Sequence, residues 1–152
     1  MDKIFETAIF TRKALLEIME KLEFEQLKKI PEPHRNSIFW NVAHILVTQQ
    51  LLTYKLSGLD LHIDQDFVSR FMKGTEGSPD VSLEDLGYVR ENLLKLVEQT
   101  KKDYGMGLFK NYAGYTTSAN IELNTIEDGL TFSSYHDGIH LGVVLSLMKI
   151  VK

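Results

Sequence analysis

Four stretches of this chain carry apolar side chains at three- and four-residue steps, and that period limits the possible folds more than any other feature. In the first, Ile4, Phe5, Ala8, Ile9, Arg12, Leu15, Met19 and Leu22 recur with charges between them. The pattern fades near Lys29, and Pro31 and Pro33 end it by removing backbone donors and favouring extended geometry. The second runs from Ser37, a fitting N-cap, through Trp40, His44, Val47 and Leu51 to Leu56, where Ser57-Gly58 supplies the stop. The third opens at Ser82, with Asp85 three residues on in a capping box that uses Asp in place of Glu. Leu86, Val89, Leu93, Leu96 and Val97 give it an apolar face. The last starts near Thr125, again with an Asp (Asp128) three residues later, and runs to Ile150.

Strand signals are sparse and no repeat stands out. Four long amphipathic helices in 152 residues predict an all-α chain, a four-helix bundle forming one domain over residues 1–152. Two connections are long. Residues 59–79 should hold a short extra helix around residues 66–73, followed by a loop over residues 74–79. Residues 103–124, rich in Gly, Tyr and Thr, form a stretch of the length that usually has a function or carries a short element.

The balance of charge narrows the partners. Net charge is -4, from 17 basic and 21 acidic side chains, and the basic residues form no stripe of the kind phosphate backbones need. Nucleic-acid binding is therefore not expected. There is no cysteine, which removes disulfides, thiolate zinc sites and cysteine nucleophiles together and fits a reducing cytoplasm. Any thiol chemistry must then use a thiol brought by a substrate. Charges in Met1-Asp2-Lys3-Ile4-Phe5-Glu6 sit where a secretory signal would be apolar, and no apolar run is long enough to span a membrane.

The chemistry-bearing residues are histidines. His136 and His140, four residues apart, fall on one helical face about 40° apart around the axis, so two imidazoles can bind one metal ion. His44 lies far upstream; if its helix neighbours the last one, three nitrogens converge and coordination positions stay open. Ordinary hydrogen-bonded core histidines can show the same spacing. Two glycines, Gly138 and Gly142, inside the last helix suggest a close approach there, since each costs about 1 kcal/mol relative to Ala. Trp40, Asn41 and Thr48 share the face of His44 and would line the site, with Ser133 one turn before His136; Tyr112 and Tyr115 would cover its mouth. His34 and His62 read as surface residues. The chain has no Glu-x-x-His motif, which excludes a carboxylate-bridged di-iron bundle, and Asp137 replaces the Glu of a zincin protease. Three imidazoles and no carboxylate match Zn²⁺ or Ni²⁺ with exchangeable water.

Trp40-Asn41-Val42-Ala43-His44-Ile45-Leu46 and His136-x3-His140-Leu141-Gly142, with the order and spacing of the four helices, resemble the DinB/YfiT-like superfamily. The resemblance implies a four-helix bundle with up-down-down-up connections, a homodimer, and a divalent ion held by His44, His136 and His140. Some members of that superfamily are transferases or isomerases using low-molecular-weight thiols, and many have no assigned activity. Two readings follow. One is a divalent-metal-dependent enzyme acting on a small molecule, a thiol-dependent S-transferase or a hydrolase. The other is a non-catalytic, stress-related ligand-binding or structural protein.

Overall fold

The computed structural model describes residues 1–75, 77 and 80–152. Glu76, Ser78 and Pro79, within the stretch read as loop, lie outside the described residues. The chain is predominantly helical. Its elements are α1 (Asp2–Lys21), α2 (Phe24–Lys28), α3 (Ile38–Gln50) running on into a π-helical turn (Leu51–Lys55), α4 (Gln65–Phe71), α5 (Leu83–Gly105), a two-residue hairpin of β1 (Tyr115–Thr116) and β2 (Glu122–Leu123), and α6 (Ile126–Val151). No described helix is long and apolar enough to cross a membrane.

Helix ends follow local chemistry. Ser37 accepts a hydrogen bond from the Trp40 amide, Ser82 and Asp85 complete a reciprocal capping box, and Thr125 and Asp128 form another. Gly58, at φ 71°, turns the chain just beyond the π-helical turn. One boundary differs from the sequence expectation. The first helix does not continue to Lys29: α1 stops at Lys21, Leu22 is extended, and a capping box between Glu23 and Gln26 starts the separate α2. The apolar period hides this break because Leu22 and Leu27 are both buried.

The long helices α1 and α3 each pack against α5 and α6, and α4 covers α3. Leu15, Met19, Phe39, Leu46, Leu93 and Leu147 lie in the shared core; burying each such side chain contributes roughly 1.5–3 kcal/mol. A polar network crosses it. Arg12 of α1, fully buried, donates from Nε to Asp137 Oδ2 at 3.0 Å and from a terminal nitrogen to Gln49 Oε1 at 3.0 Å and the Leu93 carbonyl at 3.2 Å. Gln49 in turn donates to Thr100 Oγ1 at 2.9 Å. One side chain thus ties α1 to α3, α5 and α6.

Gly138 and Gly142 have only open space around their Cβ positions within the chain, so the close approach expected of them is not made there. It is made by Gly129, one turn into α6. A Cβ there would meet the Tyr112 hydroxyl and lie 2.7 Å from the Leu52 carbonyl. Tyr112 donates to that same carbonyl at 2.8 Å, pinning the 103–124 connection to the π-helical turn. Burial pushes the Tyr112 phenol up to about 12, so it remains a donor at neutral pH. Gly129→Ala should therefore destabilise the protein by about 1–3 kcal/mol despite its better helix propensity, as a shift of the denaturant midpoint would show. An unchanged or raised midpoint would contradict this packing.

Candidate metal centre

Because α3 packs on α6, His44 meets His136 and His140 across the interface. One ligand nitrogen from each lies within 4.8 Å of the others. Among the described residues this is the only group of three or more His, Asp or Glu side chains so arranged. The three rings are close: centroids are 5.1 Å apart for His44 and His136, 5.0 Å for His44 and His140, and 4.4 Å for His136 and His140.

The hydrogen-bond partners fix which nitrogen is free. His44 Nδ1 is 2.7 Å from the Phe71 carbonyl, which only accepts, so Nδ1 carries the proton and Nε2 the lone pair. Asn41 donates from Nδ2 to the Ser37 carbonyl at 2.8 Å, which sets its amide so that Oδ1 accepts from His140 Nδ1 at 2.7 Å. His140 Nε2 is then also a lone pair, 3.1 Å from His136 Nε2. Metal-binding imidazoles have this arrangement, with the outer N–H held by a backbone or side-chain acceptor. His44 and His140 both have it, whereas the buried outer nitrogen of His136, Nδ1, has no partner. The donor set therefore fits a divalent ion bound through three imidazoles.

Electrostatics favour the neutral rings that such binding requires. Burial pushes His136 down to about 3, helped by the charges of His140, His44 and Arg12, and it pushes His140 down to about 4, helped by His44. His44 is lowered chiefly by burial too. In the unfolded chain these rings take protons near pH 6.5, whereas the fold resists them until much lower pH. Their contribution to stability is thus complete above about pH 6.5 and is lost as pH falls toward the folded values, by about 1.4 kcal/mol per pH unit per group. The metal-free protein should be roughly 2–4 kcal/mol less stable at pH 5.5 than at pH 7.5 by denaturant unfolding. A flat profile over that window would contradict these burial shifts.

The other expected residues divide. Trp40 stacks on His44 with centroids 4.5 Å apart and planes at 12°, and its indole donates to Thr75 Oγ1 at 3.0 Å, so it forms a fixed wall. Asn41 orients His140. The Thr48 hydroxyl sits 3.2 Å from His44 Nε2 and faces a cavity of about 490 Å³. Ser133 is buried but does not line that cavity. Tyr115 and Phe132 line it, whereas Tyr112 is committed to Leu52 and does not reach the mouth. His34 is half-buried rather than a surface residue, whereas His62 is exposed as expected, standing edge-on to Tyr54 with its backbone amide donating to Gln50.

Three features escaped the sequence reading. The Phe71 carbonyl that orients His44 comes from the end of α4 and has no sequence signature. Arg12 stood on an apolar face, a visible anomaly whose partner, Asp137, is the residue beside His136. Lys55 and Lys73 on the cavity wall had only their charge to mark them.

A family model described as the DinB superfamily matches residues 8–144. No curated protein matches the chain at a significant level.

Proposed function

We propose, for a chain that belongs to the DinB superfamily, a divalent-metal-dependent enzyme acting on a small molecule, as an S-transferase for a low-molecular-weight thiol or as a hydrolase. The observation that carries this reading is the pair of fixed tautomers: Phe71 and Asn41 take the outer protons of His44 and His140 and leave Nε2 of each as a lone pair beside His136. His44, His136 and His140 would hold Zn²⁺ or Ni²⁺. Such an ion lowers the pKa of a water or thiol ligand, giving a nucleophile at neutral pH. Trp40 and the leucines of the π-helical turn exclude water from one side, and the Thr48 hydroxyl offers a hydrogen bond where a substrate enters. With no cysteine in the chain, the thiol belongs to the substrate.

Three protein ligands leave a position open, and no fourth His, Asp or Glu joins the cluster among the described residues. That favours catalysis over the alternative, a non-catalytic stress-related protein with a closed or absent metal. The test is to load the protein with Co²⁺ and add a thiol such as β-mercaptoethanol. A new sulfur-to-metal charge-transfer band supports an open centre; an unchanged spectrum at millimolar thiol would leave only the non-catalytic reading. The same reading includes a homodimer. Tyr135, Ile139, Leu145 and Ile150 are exposed on α6 around Gly138 and Gly142, whose open surroundings would admit a second copy closely. Light scattering should give about twice the chain mass, and a monomer at micromolar concentration would remove the dimer from the proposal.

A further inference from the structure

The cavity beside the three histidines has a one-sided chemistry that the metal reading does not explain. Its wall is mostly apolar, with Leu51 and Leu52 from the π-helical turn, Leu56 just after it, Met72 after α4, and Phe132 from α6. Its volume, about 490 Å³, is that of a small-molecule site. Although the chain carries 21 acidic residues and a net charge of -4, no Asp or Glu among the described residues lines this cavity. The charged side chains that do are both cationic, Lys55 and Lys73.

Neither lysine has an acidic partner among the described residues, unlike Lys3, Lys28 and Lys95, which pair with neighbouring glutamates. Both are exposed and line the cavity, and a lysine can lay its apolar stem along such a wall while its ammonium reaches water. They come from separate segments. Lys55 closes the π-helical turn, whose wider winding brings Leu51, Leu52, Lys55 and Leu56 to one wall. Lys73 follows α4, two residues after Phe71, whose carbonyl holds His44 Nδ1, and lines the same cavity as His44.

We infer that this cavity selects small molecules with an apolar body and a terminal oxyanion, a carboxylate, sulfonate or phosphate, held between Lys55 and Lys73 at the mouth. The apolar body then lies along the leucines and Phe132, and the end away from the anion reaches the histidines. This deepens the proposed function and rests on it for the position of the reacting atom; the lysine selection itself does not require a metal. Thr117 and Ser118 of the hairpin turn, also on the wall, supply hydroxyl donors to the same anion. Anchoring by charge at one end leaves the apolar body free to vary.

The test is isothermal titration with octanoate, octanol and octylamine at low salt, on both zinc-loaded and metal-stripped protein. Octanoate should bind at least tenfold tighter than the other two in both forms. Lys55→Gln with Lys73→Gln should weaken octanoate about tenfold, leave octanol unchanged and leave zinc content unchanged, and added salt should erode the difference. Lys101→Gln, an exposed charge loss elsewhere, should change nothing. Octanoate binding no tighter than octanol, or equal octanoate affinity in the double variant, would overturn the inference. If the protein takes up no zinc, the metal reading fails separately, and the metal-stripped titration still decides this one.

Discussion

Arg12→Leu should lower stability by about 3–5 kcal/mol, the usual cost of stranding one member of a buried ion pair. Both Arg12 and Asp137 are about 1% exposed, and Arg12 also satisfies Gln49 and the Leu93 carbonyl, so its loss leaves several polar groups unpaired at once. Burial already pushes the Asp137 carboxyl up, and the Arg12 guanidinium is what opposes that rise. Without Arg12, the folded carboxyl favours its protonated form. The cost should then be smaller in acid and grow as pH rises above the ordinary carboxylate range. Arg12→Leu combined with Asp137→Leu should recover much of the loss, because an apolar pair strands no charge. Urea midpoints of the two single variants and the double variant check this. A single variant within about 0.5 kcal/mol of the wild type would mean that the pair does not hold α1 to α6.

Removing one imidazole should have the largest effect on the proposed centre. A three-ligand site gains its affinity from all three nitrogens together, so His44→Ala or His140→Ala should each weaken Zn²⁺ binding about a thousandfold. Asn41→Ala removes no ligand. It frees His140 to rotate or change tautomer, and about 10–100-fold should be lost. The graded order, histidine far above asparagine, separates a metal centre from a hydrogen-bonded histidine cluster. In such a cluster, Asn41→Ala would alter stability and leave metal uptake untouched. Competitive titration against a zinc chelator measures all three variants. Equal affinities for wild type and His44→Ala would contradict the assignment of His44.

Much of this was legible from periodicity and capping. Ser37, Ser82 and Thr125 each start a helix where their side chains read as caps, and the apolar faces of α3 and α6 bring the three histidines together. What stayed hidden depends on contacts between distant segments. The break at Leu22 leaves the apolar period intact, so only the Glu23–Gln26 capping box marks it. Gly138 and Gly142 looked like sites of close approach because a sequence shows the helix-propensity cost without showing which face is covered. Gly129, equally plain in the sequence, carries the contact because the Tyr112 loop folds over it. The orienting carbonyl of Phe71 is backbone, which no residue type announces.

X-ray absorption at the zinc edge of the zinc-loaded protein tests the central claim most directly, since it counts and identifies ligands. The account predicts about one zinc per chain with three imidazole nitrogens near 2.0 Å and a non-protein oxygen ligand completing the shell. Failure to retain zinc, fewer than three imidazoles, or a shell closed by a fourth protein ligand would contradict an open three-histidine centre at His44, His136 and His140.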